Sequence, residues 1–234
     1  MGKYGTNKVT HMKIIYLAYR EWAKEVYNSL KAHPKVSESI FCETEDELLK
    51  LNVSRFDLLI TCGWSDELPL SVAENIMSIG VHCAELDRYS YGSPLQLQII
   101  DGLKRTKHRI FSFTNDPNSS RAHTHNRLFS HEVDLDLSGG MKQVLGQMTA
   151  TSEVLFNWFL DDYPEITWKE WPEEKIVRTK RKPSDSILSK EDVVGMTTEQ
   201  LYNFFRCLED PYPNGCIEDE YGTLYINKVS FKKK

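Results

Sequence analysis

The sequence predicts an α/β protein: a Rossmann-like, doubly wound, mainly parallel sheet with a small C-terminal helix plus β-hairpin appendage. Three observations lead there. Short apolar runs rich in β-branched and aromatic residues, such as Lys13–Ala18, Asp57–Thr61 and Ile79–His82, alternate with amphipathic stretches such as Arg20–Ala32. Strands apolar on both faces need helices on both faces, which is the architecture of parallel sheets. Near the C-terminus the pattern changes to one helix, the turn-rich stretch Asp210–Gly215, and two short strand patterns. A chain of 234 residues with 40% apolar content is long enough to bury one such core and carry an appendage.

In chain order, Lys13–Ala18 reads as a buried strand and Arg20–Ala32 as a helix with Trp22, Val26, Ser29 and Leu30 on one side. His33-Pro34 ends that helix, and Val36–Phe41 is the second strand. Thr44 and Glu47 have capping-box spacing for a short helix to Leu51, and Ser71 and Glu74 repeat that spacing for a helix to about Met77. Ser93-Pro94 opens a helix to about Ile100, closed by Asp101-Gly102. Strands are expected at His108–Phe113 and Arg127–Val133 around a polar loop, Thr114–His125. Ser138-Gly139-Gly140 precedes a long helix to about Asp161, with Val144, Met148, Val154, Leu155 and Trp158 inward; Pro164 stops it. Residues 164–192 are proline- and charge-rich, with short strands at most. Thr197 and Gln200 cap a helix over Leu201–Leu208, and Cys216–Glu218 pairs with Thr223–Val229 across Asp219–Gly222.

Composition removes several function classes. No run of about 18 apolar residues exists, so no membrane span is expected. Residues 1–11 are polar, without the apolar centre of a signal peptide, and read as an N-terminal extension or tag remnant. Five widely spaced cysteines without a C-x-x-C point to a reducing cytoplasm rather than disulfides or a zinc ribbon. A net charge of −5, with dense basic runs only at Lys180–Lys182 and Lys232–Lys234, argues against a nucleic-acid partner. The first strand is followed by Ala18-Tyr19-Arg20-Glu21 instead of G-x-G-x-x-G, so a dinucleotide is not indicated.

One residue stands out on chemical grounds. His82 lies at the carboxyl end of a buried parallel strand, before a loop containing Glu85, Asp87, Arg88 and Tyr89. Ligands of open α/β sheets bind outside the carboxyl ends of the strands. A lone histidine there is either a reactive group or a satisfied structural one. The adjacent Cys83 reads as a small buried filler rather than a nucleophile. His123 and His125 share a strand face and His131 follows, but without H-E-x-x-H or C-x-x-C no metal is expected. Trp64, Trp168 and Trp171 are either core or stacking surfaces for a pterin or base.

GWSDELP at 63–69, GVHCAELDRYSYGSPLQLQIIDG at 80–102, RLFSHEVDLDLSGGMKQVL at 127–145, RTKRKPSDSIL at 178–188 and the stretch 197–229 together resemble the N10-formyltetrahydrofolate-dependent formyltransferases. GSPLQ, Thr106-Lys107 and KPSDS are most similar to the branch acting on nucleotide-linked amino sugars of the pseudaminic-acid type.

The resemblance implies a transferase that moves the formyl group of N10-formyltetrahydrofolate to a sugar amine. It implies His82 as the donor to the developing oxyanion. The family pattern has an asparagine two residues before this histidine, where Gly80 stands, and an aspartate in a later loop, where His123 aligns with Asp116 as the nearest acidic substitute. The catalytic set implied is therefore His82, Asp116 and His123. Trp64, Leu68 and Asn115 are the implied folate contacts, and Arg88, Tyr89 and Lys182 the substrate contacts. The implied domains are 12–163 and a linker, helix and hairpin over 164–234, the latter expected to join a homodimer. Rival readings are a methionyl-tRNA or glycinamide ribonucleotide formyltransferase-like enzyme and a catalytically weakened family member acting as a binding protein, favoured by Gly80 and His123.

Overall fold

The computed structural model describes residues 11–84, 89, 92–115, 121–123, 128–170 and 178–233, with backbone alone for 114–115 and 121–123. The elements are β1 (Met12–Leu17), α1 (Glu21–Leu30), β2 (Val36–Cys42), α2 (Glu45–Leu49), β3 (Leu58–Thr61), β4 (Leu68–Pro69), α3 (Leu70–Ala73), β5 (Met77–His82), α4 (Pro94–Ile100), β6 (Arg105–Ser112), β7 (Thr114–Asn115), β8 (Arg121–His123), β9 (Leu128–Asp136), α5 (Met141–Asp162), β10 (Lys169–Glu170), β11 (Ile187–Ser189), α6 (Lys190–Gly195), α7 (Thr198–Arg206), β12 (Gly215–Asp219) and β13 (Gly222–Ile226).

Seven strands form a mostly parallel sheet in the order β10-β9-β6-β5-β3-β1-β2. The part built from the N-terminal strands is parallel throughout: β1 lies between β2 and β3, and β3 pairs with β5. The strand order turns outward in both directions from β1, as in a doubly wound sheet. Two three-stranded sheets accompany it, β4-β8-β7 and β11-β12-β13.

The chain groups into two compact units, one of residues up to Val81 with Ile110–His131 and Ser152–Lys169, the other of His82–Arg109, Glu132–Thr151 and Glu170 onward. In the first, Ile14, Ile15, Leu17, Leu58, Leu59, Ile60 and Ile79 are buried strand residues. Ala23, Val26 and Leu30 are the buried face of α1. In the second, α7 inserts Phe204 and Phe205 and spends its buried Arg206 on the chain before α5: Nη1 donates to Leu137 O at 2.6 Å and Gly139 O at 2.8 Å. Glu209 accepts from the Met141 amide at 3.1 Å, placing a carboxylate on the positive end of α5.

Several expectations need correction. Ser71 does not cap a helix to Met77: α3 starts one residue earlier, after Pro69, runs four residues, and β5 begins at Met77. Proline fixes the φ that launches the turn, so Ser71 falls inside it, and its carbonyl accepts from Asn75 Nδ2 at 2.9 Å. The stretch expected as a polar loop from Thr114 supplies β7 and β8, which pair with each other, while β4 adds to β8. Val154 and Trp158 are exposed on α5, while Leu155, Phe156, Phe159 and Leu160 face inward. A helix of 22 residues drifts off any short periodic reading, and buried Ser152 shows the true phase. Helix α6 begins at the end of the proline- and charge-rich stretch and runs past it to Gly195, capped by Ser189 and Asp192.

Candidate functional site

The register of the parallel strands fixes a level edge. Leu17 of β1 is opposite Thr61 of β3, and Thr61 is opposite Gly80 of β5. The segments leaving these carboxyl ends are Ala18–Arg20, Cys62–Glu67 and the chain beyond His82. Ligands of such sheets collect along this edge.

On the first unit, Gly63 turns the chain with φ +61°, and a side chain there would press on Trp22, Arg20 and Ala23. The turn sets Trp64 edge-on to Tyr19 at 5.6 Å, while Tyr19 Oη and Ser65 Oγ are 2.7 Å apart. The Arg20 guanidinium lies 5.0 Å over the Tyr19 ring. An open cleft of about 440 Å³ is lined here by Glu45, Trp64, Ser65, Asp66 and Glu67. The indole Nε1 of Trp64 is buried without a hydrogen-bond partner among the described residues. Close by in sequence, Leu68 pairs with Ala122, whose other neighbour is Asn115. Trp64 thus lines the cleft, and Leu68 and Asn115 flank one residue of β8 by backbone. His123 is opposite Thr114 in the same sheet.

Gly80 has no room for a side chain. A Cβ there would lie 2.5 Å from Thr61 Oγ1 and 2.6 Å from Phe111 Cζ. Phe111 is itself buried and packed on Phe113, ring centroids 5.0 Å apart.

On the second unit, His82 is half-buried at the end of β5. Burial pushes the neighbouring Cys83 thiol up to about 12, which suits a packing residue and not a nucleophile at neutral pH. His108, on β6, is fully buried, and its Nδ1 is 2.8 Å from Thr151 Oγ1. The single Thr151 hydroxyl proton goes to Gln147 O at 2.7 Å, so the proton on the 2.8 Å contact belongs to Nδ1. That leaves Nε2 of His108 a buried lone pair with no partner among the described residues. Burial, then the charge of His82, lowers its pKa to about 3, so it is neutral.

Tyr89 is buried, and its hydroxyl donates to Asp101 Oδ2 at 3.0 Å. Arg178 Nη1 holds both oxygens of the same Asp101, at 2.7 and 3.0 Å. Tyr89 is therefore a strut between the post-His82 loop and α4. Lys182 is exposed, and the stem of Lys180 lies over Gly92. Asp116, Arg88 and His125 lie outside the described residues, as does the side chain of His123. His131 Nε2 is 3.0 Å from Asp162. Sequence reasoning passed over His108, Gln98 and the Arg178–Asp101 pair. The signal available was a polar residue inside an apolar run: His108 before Ile110-Phe111, and Gln98 between Leu97 and Ile99.

No protein-family profile matches the sequence, and no curated protein matches it. Solved structures do match in fold. A methionyl-tRNA formyltransferase from Clostridium thermocellum is 22% identical, with a TM-score of 0.76 over 94% of this chain and 94% of that one. A sugar N-formyltransferase from a Shewanella species is 15% identical, with a TM-score of 0.68 over 95% of this chain and 99% of that one. HypX from Aquifex aeolicus, in complex with tetrahydrofolic acid, is 13% identical, with a TM-score of 0.68 over 89% of this chain and 36% of that one. The fold is shared with formyltransferases over nearly the whole chain. Among the described residues no helix is long and apolar enough to cross a membrane.

Proposed function

We propose that this protein is an N-formyltransferase that moves the formyl group of N10-formyltetrahydrofolate to the amine of a nucleotide-linked amino sugar. The observation that carries the reading is His82 at the carboxyl end of β5, in a fold shared with formyltransferases.

The chemistry asks little of the protein. A neutral amine attacks the formyl carbon, the amine loses a proton, and the N10 leaving group gains one. His82 donates a hydrogen bond to the oxygen that becomes negative in between. Asp116 or His123 takes the amine proton. The folate is held at the Trp64 cleft with Leu68 and Asn115; the cleft's aromatic wall and three carboxylates suit a flat ring bearing N–H donors, and its buried indole N–H awaits an acceptor. Arg88 and Lys182 meet the substrate phosphates, with Tyr89, whose hydroxyl is held by Asp101, as the third substrate contact. No metal takes part. The protein acts in the cytoplasm as a homodimer joined through its C-terminal region, where Tyr221, Leu224 and Tyr225 are exposed around the edge strand β13.

The test is purified protein with N10-formyltetrahydrofolate and a panel of UDP-, dTDP- and GDP-linked amino sugars. Release of tetrahydrofolate with the mass gain of one formyl group on a sugar supports the reading. Transfer to charged initiator tRNA alone would replace the sugar with the tRNA. Binding of folate and sugar nucleotide without transfer would leave the weakened, binding-protein reading, which the filled space over Gly80 favours.

A further inference from the structure

Gln98 sits in the middle of α4 and is fully buried. Its Nε2 donates to Cys83 O at 2.6 Å and to Pro94 O at 3.0 Å. Two carbonyls at one end of the amide fix which end is nitrogen. The other end, Oε1, is buried and has no hydrogen-bond partner among the described residues. An orphaned acceptor is costly, and a leucine or methionine would fill the same space without it. The neighbours Leu95, Leu97 and Ile99 are the apolar residues one expects there. The Pro94 carbonyl already belongs to the helix. What the amide adds is a grip on Cys83, fifteen residues back along the chain.

That grip falls at a sensitive place. β5 ends at His82, so the sheet ladder no longer fixes the chain beyond it. Cys83 is the next residue, and holding its carbonyl fixes the backbone that carries the His82 ring into the loop. Further along, Tyr89 is tied to Asp101 at the end of the same helix. Helix α4 and its cap thus hold two described residues after His82, Cys83 and Tyr89, with Gln98 on the one adjoining His82.

We propose that Gln98 is a positioning residue for His82, aiming the imidazole by clamping the Cys83 carbonyl; this rests on the reading of His82 as the reactive group.

The decisive variant is Gln98→Met, which keeps length and volume and removes the donor. Its kcat should fall on the order of 10- to 100-fold, as for a misplaced catalytic group, with KM for both substrates nearly unchanged. The His82 ring, followed by NMR through a pH titration, should shift its resonances and midpoint, while the ring resonances of the other histidines stay in place. Gln98→Glu supplies a conditional rescue: protonated glutamic acid donates one hydrogen bond and the carboxylate none. Its activity relative to wild type should therefore rise as pH falls. The NMR arm needs no turnover, so a protein that formylates nothing can still show a His82 response, separating this inference from the proposed reaction. Unchanged His82 titration and kcat in folded Gln98→Met would overturn it. Should both variants fail to fold, wild type decides: slow solvent exchange of the Gln98 side-chain amide protons supports the clamp, and exchange at the rate of an exposed glutamine overturns it.

Discussion

The Phe111 ring fills the space a side chain at Gly80 would need. A Cβ built on Gly80 would fall 2.6 Å from Phe111 Cζ and 2.8 Å from Cε1, with Thr61 Oγ1 at 2.5 Å on the same side. No real Cβ tolerates these distances, and Phe111 is buried against Phe113 with little freedom to retreat. Gly80→Ala should therefore lower stability by roughly 1–3 kcal/mol, the usual cost of overpacking. Adding Phe111→Leu should recover part of the loss, giving a coupling energy on the order of 0.5–3 kcal/mol in a double-mutant cycle. Additive urea-unfolding energies would show that the two positions do not meet. It also follows that Gly80→Asn alone will not restore a family-like donor.

Replacing His82 tests the reaction. His82→Ala should leave a folded protein whose formyl transfer drops ~100-fold or more, as for loss of one oxyanion donor. A well-folded variant with near-normal kcat would move the chemistry elsewhere.

Cys83 offers a test with the opposite expectation. Its thiol is pushed from 9.0 up to about 12, first by burial. A raised pKa means that near pH 8 the reactive thiolate is scarce, and the sulfur is also inaccessible. Iodoacetamide should leave Cys83 unmodified in the native protein, and Cys83→Ala should retain most of the transfer activity. Rapid, pH-independent labelling of Cys83 by mass spectrometry would contradict both.

The C-terminal sheet ends in an edge strand carrying Leu224 and Tyr225, 60% and 65% exposed, with Tyr221 beside them at 89%. Apolar edges of this kind invite pairing with another chain. Leu224→Glu with Tyr225→Glu should halve the mass seen by light scattering and leave the circular dichroism spectrum unchanged. A dimer that survives both charges would place the interface elsewhere.

Much of the fold was legible because the strands are continuous apolar runs. Lys13–Ala18 and Asp57–Thr61 lie within a residue of β1 and β3, and Thr197 with Gln200 caps α7 as their spacing requires. What failed was local and cooperative. Ser71 matched a capping pattern, but Pro69 had already started the helix. The strands β4, β7 and β8 are two or three residues long; β7 pairs with its near neighbour β8, but β4 exists through pairing with β8 across some fifty residues, which no local pattern records. The site was legible at His82, whose place follows from a strand end. It was illegible at Gly80, where the deciding fact is a ring thirty-one residues away, and at Gln98 and His108, whose meaning lies in the atoms they face.

His108 gives the last prediction, on acid stability. Its pKa is lowered from 6.5 to about 3 by burial first and by the charge of His82 second. The structure supplies the reason: Nδ1–H is committed to Thr151, and a second proton on Nε2 would meet no acceptor among the described residues. The sign is fixed by linkage. A group whose folded pKa is depressed contributes its full stability above the unfolded value. As pH falls below 6.5 the unfolded chain takes up a proton that the folded protein refuses. Stability should therefore drain away at about 1.4 kcal/mol per pH unit between 6.5 and about 3. His108→Met fills similar space, frees Thr151 only of an incoming bond, and removes the titration. At about pH 7 the variant should lie within about 1.5 kcal/mol of wild type, the scale of one hydrogen bond. Near pH 4.5 it should be the more stable of the two, because the carboxylates that also titrate there are common to both. Urea unfolding of the pair across this range reads the difference directly. Parallel stability curves would mean that His108 accepts its second proton within the fold, and that its environment is more open than its burial indicates.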